Sequence, residues 1–190
     1  ITEAGKYRGV DYFNGGLFQK VTPLELTMHE VTMLEFACIK DWSKVNPAIF
    51  GTFFEYGMDA AERHAAGAHY TYEIDIKKIV DPVIVQPFQN KIAEALEAAM
   101  PIDALYKVLD SLRAYRVLDP ACGSGNFLFV AYREMKKLEK QLLRVIRDRS
   151  TKREDAKRLR TCLENTPYVS IKQFHGMDLK GTSVEVAKVT

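Results

Sequence analysis

Apolar positions along most of this chain recur at three- and four-residue steps, the pattern of helices that bury one face. The first run is Leu24, Met28, Val31, Leu34 and Cys38. Thr22-Pro23 ahead of it predicts an N-cap and a first helical residue for a helix reaching Ile39. Asn46-Pro47 opens a second predicted helix through Phe54, and Asp59 caps a short third to Ala65, which Gly67 ends. Thr71 is placed to cap a fourth, with Ile76, Ile79 and Val80 on one face and Pro82 set to end or kink it. The alanine-rich stretch from Phe88 to Met100 is helical by propensity. Pro101 interrupts it, and Ile102 to Leu112 predicts a further helix.

The pattern changes at Arg116. Arg116-Val117-Leu118-Asp119 is a short apolar run ending in an acid, and Pro120 to Gly125 form a tight loop of small residues. Asn126 to about Ile146 predicts a long helix, with Phe127, Val130, Met135, Leu138 and Leu142 toward one side. A charged helix from about Lys152 to Leu163 turns back, forming a helical hairpin. Ile171 to Met177 predicts a second strand ending at Asp178, and Ser183 to Val189 a last helix. Strand, glycine loop, helices, strand, acid and helix, in that order, indicate an α/β fold with parallel strands. The helices before Arg116 read as an amino-terminal extension packed on or beside it. Residues 1–20, rich in glycine and aromatics, read as loop or short turns.

Composition narrows the class. Hydrophobic residues make up 47% and charged residues 27%, the balance of a soluble globular protein. No stretch approaches the ~18–20 apolar residues of a membrane span. Ile1-Thr2-Glu3-Ala4-Gly5 has neither the basic nor the apolar region of a signal peptide, and the absence of an initiator Met suggests an excerpt of a longer protein. Cys38, Cys122 and Cys162 show no CxxC spacing and are expected to be reduced thiols of a cytoplasmic protein. No HExxH pair is present, and His64 and His69 do not share a helical face, so no metal site is expected. Net charge is only +2, but Arg133 to Arg160 holds twelve Lys/Arg against five Asp/Glu. Such a run either tracks phosphates or is the solvated face of a long helix.

The chemistry concentrates in the loop after Leu118. Small residues following a strand let a ligand lie close to the main chain, and the next helix aims its first amides at that ligand. A dinucleotide fingerprint fails because Leu128 stands where the third glycine belongs; no GxxxxGK[ST] string occurs; and Cys122 occupies the first glycine of a nucleophile elbow. What remains suits a compact cofactor of low charge, with Asp119 available to an amino group.

Asp119-Pro120-Ala121-Cys122-Gly123-Ser124-Gly125-Asn126-Phe127 resembles the first motif of amino-type (N6-adenine) DNA methyltransferases. Upstream, Gly67-Ala68-His69-Tyr70-Thr71 is similar to the element that helps close the cofactor pocket in that family. Downstream, Gly176-Met177-Asp178-Leu179 is similar to the second-strand motif, whose acid accepts hydrogen bonds from ribose hydroxyls. Phe13-Asn14-Gly15-Gly16-Leu17-Phe18, Asp41-Trp42-Ser43 and Ile49-Phe50-Gly51-Thr52-Phe53-Phe54-Glu55 narrow the resemblance to the MmeI-like group, in which one chain combines restriction and modification. It covers about residues 12 to 190. Two positions depart from the pattern: Lys180-Gly181 stand where an Asn-Pro or Asp-Pro pair is usual, and Tyr72 follows Thr71.

The resemblance implies a class I (Rossmann-like) methyltransferase fold over 67–190, preceded by a helical region over 1–66. It implies S-adenosyl-L-methionine as cofactor, held by Tyr70, Thr71, Asp119, Ala121, Gly123, Gly125, Asn126, Phe127 and Asp178, and double-stranded DNA as the partner of the parent enzyme. The family's catalytic Asn/Asp-Pro-Pro-Tyr/Phe string does not occur up to Thr190 and is expected beyond it. The chain by itself is therefore expected to be inactive, with no catalytic residue to assign. Asn46-Pro47-Ala48 does not supply the string. Two strands without the rest of a sheet would leave an edge open to self-association. A methyltransferase acting on RNA or protein, and a non-catalytic helical module that contacts DNA, are the alternative readings.

Overall fold

The computed structural model describes residues 23–45, 49, 71–164 and 167–188. Helix α1 spans Met28–Cys38. It starts five residues later than Thr22-Pro23 suggested, because Thr27 and Glu30 form a reciprocal capping box. The Thr27 amide donates to Glu30 Oε2 at 2.7 Å and the Glu30 amide to Thr27 Oγ1 at 3.3 Å, satisfying two donors that a helix start otherwise leaves open. None of its residues is buried among the described residues, so Met28, Val31 and Leu34 form a face without a described partner. The predicted helices from Asn46 and from Asp59 lie outside the described residues, apart from Ile49.

From Tyr72 the chain is continuous helix for two dozen residues. α2 (Glu73–Val80) passes through a π turn (Asp81–Val85) into α3 (Gln86–Glu97). The N-cap is Tyr72, with no side-chain cap, rather than Thr71. Ile76, Val80, Ile84, Phe88 and Ile92 are buried at strict four-residue steps, while Ile79 and Val83 are exposed. Such spacing drifts around an ordinary helix of ~3.6 residues per turn; the wider π turn takes up the surplus and keeps the stripe on one face. Pro82 therefore does not end the helix. Pro87 cannot donate to the Val83 carbonyl, and the Tyr115 hydroxyl donates to that oxygen at 3.5 Å. Tyr115 also stands edge-on to Phe88, centroids 5.4 Å apart.

Helix α4 (Pro101–Ala114) begins with proline at its first position and leads into β1 (Val117–Asp119). α5 (Asn126–Arg149) and α6 (Arg153–Glu164) form the expected hairpin. The second strand is shorter than Ile171–Met177. Residues Ile171–Gln173 are a 3-10 turn closed by a Ser170–Gln173 capping box, and β2 is Phe174–Gly176. α7 (Gly181–Ala187) follows, starting two residues before Ser183. Thr190, the residue past which the catalytic string is expected, lies outside the described residues. β1 and β2 pair in parallel, Val117 opposite Phe174 and Asp119 opposite Gly176. Parallel neighbours require a crossover, which α5 and α6 provide.

The core lies between the helices. Leu105, Leu109 and Leu112 of α4 and Val130, Met135, Leu138, Leu142 and Ile146 of α5 pack with the α2–α3 stripe, and α5 also covers both strands. Two buried polar side chains lock the approach to β2. Glu139 Oε1 accepts from the Tyr168 and Val169 amides, at 2.6 and 3.2 Å. Gln173 Nε2 donates to the Leu112 and Tyr115 carbonyls, at 2.9 and 3.0 Å.

Candidate functional site

Parallel pairing puts the ends of β1 and β2 on one edge, where open α/β folds bind ligands. The chain leaves β1 at Asp119 and turns through Pro120–Gly125 into the first turn of α5. Gly123 (φ 52°) and Gly125 (φ 87°) hold left-handed backbone that other L-residues adopt only under strain. The Gly125 amide closes the turn on the Cys122 carbonyl at 2.8 Å. Asp119 Oδ1 accepts from the Ala121 amide at 3.0 Å, which fixes the carboxylate at the mouth of the loop.

The segment after β2 is stitched to this loop. The Met177 amide donates to the Asp119 carbonyl and the Cys122 amide to the Met177 carbonyl, both at 2.9 Å. Asp178 then meets the loop directly: its Oδ2 accepts from the Gly123 amide at 3.0 Å and its Oδ1 from the Lys180 amide at 2.8 Å. Each carboxylate oxygen has lone-pair capacity left for a second donor. The wall behind the loop is filled. A Cβ on Gly176 would lie 2.8 Å from Cys122 Sγ, and one on Gly125 would lie 3.2 Å from Ala187. The front is open, since a Cβ on Gly123 would meet nothing within 4 Å.

The fold thus gathers Asp119, Ala121, Gly123, Gly125, Asn126 and Asp178 at one edge. Asn126 is the first residue of α5; its side chain is buried and its Oδ1 has no hydrogen-bond partner among the described residues. Phe127 is half-buried and packs against the core. Thr71 stands just before α2, and Tyr70 lies outside the described residues. Sequence reasoning gave neither Cys122 nor Gly176 a part in the site; the quoted motifs contain both, but only the three-dimensional contact shows that one forms the back wall for the other. Burial pushes the Cys122 thiol up, and the carboxylates of Asp119 and Asp178 push it further. The thiol is therefore neutral near pH 7 and packs rather than attacks.

Electrostatically the site offers two carboxylates beside the amides that open a 24-residue helix, whose aligned dipoles put partial positive charge there. It can accept hydrogen bonds from hydroxyl or amino groups and donate others from its main chain. Behind it, an ion-pair cluster ties α2 to α5. Glu73 pairs with Arg133, Lys77 lies 3.2 Å from Glu73 and 3.7 Å from Glu134, and Lys137 lies 2.8 Å from Glu134. Arg133 holds the Glu73 carboxyl below its ordinary value of 4.5, against the opposing effect of burial. The folded value is the lower one, so this stabilisation is complete above pH ~4.5 and is lost as pH falls through the folded value. Glu73→Gln is expected to cost on the order of 1 kcal/mol at pH 7. Urea titrations should show that difference shrinking toward zero in acid.

Residues 92–190 match the family model described as MmeI, DNA-methyltransferase domain. DNA methyltransferase A of Bacillus subtilis (strain 168) is 28% identical over 184 residues, covering 94% of this chain and 19% of that protein. A putative type II restriction enzyme and methyltransferase of Methanocaldococcus jannaschii is 25% identical over 224 residues, covering 96% of this chain and 18% of that one. The chain thus spans about a fifth of these relatives' length. Among solved structures, the type IIL restriction-modification enzyme MmeI in complex with DNA superposes with a TM-score of 0.73 at 29% identity, over 98% of this chain and 24% of that one.

Proposed function

Since the chain belongs to the MmeI DNA-methyltransferase family, we propose that the edge formed by β1 and β2 binds S-adenosyl-L-methionine for methylation of DNA within a restriction-modification enzyme. The observation that carries this reading is the Gly123 amide on the Asp178 carboxylate, 3.0 Å apart across 55 residues of sequence. It fixes an acid beside an open, Cβ-free stretch of main chain. Bound there, the cofactor supplies an electrophilic methyl group on a sulfonium.

The residues present fit such a group. Asp178 would take the ribose diol through the lone pairs its two amide donors leave. Asp119, whose Oδ2 has no partner among the described residues, would accept from the amino end. Gly123 and Gly125 keep the loop low enough for the nucleoside to lie on it, and Asn126 brings an unsatisfied buried acceptor to the same helix start. Ala121 borders the opening, Phe127 braces the first turn of α5 from the core side, and Tyr70 and Thr71 would close the pocket from the start of α2. What this supplies is positioning and electrostatic support.

On this reading the methyltransferase domain runs over 67–190 and takes the Rossmann-like form, with 1–66 as a helical region before it. Burial of Ile76, Val80 and Ile84 in the same core as α4 and α5 supports an early start. The target is an exocyclic amine of a base in double-stranded DNA, N6 of adenine by the motif's resemblance. These 190 residues hold no Asn/Asp-Pro-Pro-Tyr/Phe string and so supply the cofactor half without a group to hold that amine, which makes them inactive alone. Each strand pairs on one side only among the described residues, leaving edges that a second copy can extend.

Calorimetric titration of the full-length protein with S-adenosyl-L-methionine tests the assignment. Asp178→Ala should weaken binding about tenfold, the scale of one lost hydrogen bond to a charged group, and Asp178→Asn by less. Affinity unchanged in Asp178→Ala would remove this residue from the site and, with it, the observation on which the reading rests.

A further inference from the structure

The basic run noted in the sequence separates, in the fold, into two parts. In the amino half of α5 each cation meets an acid: Arg133 with Glu73, Lys136 with Glu139, Lys137 with Glu134. From Lys140 to Arg160 the count is nine Lys/Arg against three Asp/Glu. There Arg144 and Arg147 share a single acid, Asp148, at 3.9 and 3.1 Å. Lys140, Arg153, Lys157 and Arg160 are exposed and have no ion-pair partner among the described residues.

Spacing places these cations in two stripes. Lys140, Arg144 and Arg147 follow i, i+4, i+7 on α5, opposite buried Leu142 and Ile146; Arg153, Lys157 and Arg160 repeat that spacing on α6, opposite buried Leu159 and Cys162. The stripes meet. Arg147 and Arg160 border one hollow between the helices, with Ser150 beside them, Leu159 and Leu163 lining it and Glu164 also at its wall. Cations needed only for solubility would be balanced as in the amino half of α5. Two adjoining, largely unbalanced rows instead match a polyanion with regularly spaced charge.

We propose that the α5–α6 hairpin is a second, sequence-independent DNA surface, whose two lysine/arginine stripes hold duplex phosphates away from the methylation site. The inference rests on the reading of double-stranded DNA as substrate. The α5 stripe starts at Lys140 and runs toward the helix end at Arg149, so at ~1.5 Å per residue it lies roughly 20–30 Å from the cofactor loop. That is too far to touch the base being modified. The hairpin therefore contacts backbone outside the modified site, and its contribution depends on salt rather than on sequence.

The test is binding of the full-length protein to labelled duplexes, with and without its recognition sequence, over a range of salt. The variant combines Arg153→Gln, Lys157→Gln and Arg160→Gln, whose side chains are exposed. It should lower the slope of log affinity against log salt by about 2–3, near 0.9 per phosphate lost. Affinity at physiological salt should fall roughly tenfold or more on both duplexes. Binding of S-adenosyl-L-methionine should be unchanged, and Arg153→Lys with Arg160→Lys should behave as wild type because charge alone is read. An unchanged slope, or a loss confined to the recognition duplex, overturns the inference and leaves the methyltransferase reading standing. A wild-type protein that binds the cofactor yet shows no salt-dependent affinity for any duplex overturns both the hairpin surface and DNA as substrate.

Discussion

A Gln173→Glu protein is expected to unfold at markedly lower urea than wild type at pH 7, with a loss of about 3 kcal/mol or more. Gln173 is 3% exposed. Its amide group donates to the Leu112 and Tyr115 carbonyls, at 2.9 and 3.0 Å, and its Oε1 accepts from the Ser170 amide at 2.7 Å. The two carbonyls belong to the end of α4, where a helix runs out of its own donors. A carboxylate of the same shape keeps the Ser170 bond but turns an acceptor toward two acceptors in a place water does not reach. Gln173→Met, which deletes the donor and the Ser170 acceptor together but buries no charge, should cost less, on the order of 1–3 kcal/mol. The two variants separate by pH. The introduced carboxyl is buried against oxygens, so its folded pKa lies above the ~4.3 of the unfolded chain. Its penalty is complete above the folded value and is relieved as pH falls from there toward the unfolded one, when the O–H can donate. Urea unfolding at neutral and mildly acid pH should therefore show Gln173→Glu recovering relative to wild type while Gln173→Met does not. Equal stability of all three proteins at pH 7 would mean that this side chain does not secure α4 to β2.

That cap also explains what could be read from the sequence and what could not. The strand-loop-helix from Val117 to Asn126 was legible because each feature is local: an apolar run, an acid at its end, and glycines at both positions of positive φ. The break at Pro101 was legible for the same reason, although Pro101 opens α4 rather than preceding it. Ile171-Lys172-Gln173 was read as the start of the second strand, yet the Ser170–Gln173 box bends it into a 3-10 turn, with the Gln173 donors spent on the end of α4, about 60 residues earlier in the chain. Thr22 was read as a cap from the Pro23 and Glu25 that follow it, and Thr71 from residue type. Thr22 and Thr27 each have a glutamate three residues on, Glu25 and Glu30, and the box that forms is the second; nothing in the sequence marks Tyr72 as the cap of α2. Pro82 looks like a breaker until the four-residue spacing of Ile76 to Ile92 is seen to need a wider turn just there. In the site, Asp119 and the glycines were readable one by one. The bond from Gly123 to Asp178 was reachable only through family resemblance, because it depends on β1 and β2 lying side by side.

The sharpest test of that juxtaposition is Gly176→Ala, which should weaken binding of S-adenosyl-L-methionine on the order of a hundredfold, without any change to a residue assigned to the ligand. Gly176 has ordinary backbone, so the effect does not come from conformational freedom. The added Cβ would lie 2.8 Å from Cys122 Sγ, 3.0 Å from Cys122 Cβ and 3.0 Å from Leu128 Cδ1. Cys122 cannot simply retreat, since its amide is bonded to the Met177 carbonyl at 2.9 Å and its carbonyl holds the Gly125 turn at 2.8 Å. Sγ and Leu128 Cδ1 can turn aside, but Cys122 Cβ moves only with the loop, so the rest of the relief shifts the loop off β2 and lengthens the Gly123–Asp178 bond. The clash predicts its own remedy. Cys122→Ala removes the sulfur and should restore part of the affinity in the Gly176→Ala background, so the two changes together cost less than their sum. Gly123→Ala offers a contrast: its Cβ meets nothing, and only the positive φ opposes it, so Cys122→Ala should do nothing for that variant. If Gly176→Ala binds the cofactor as wild type does, or if its defect adds independently to that of Cys122→Ala, the packed wall behind the loop does not hold the site in shape.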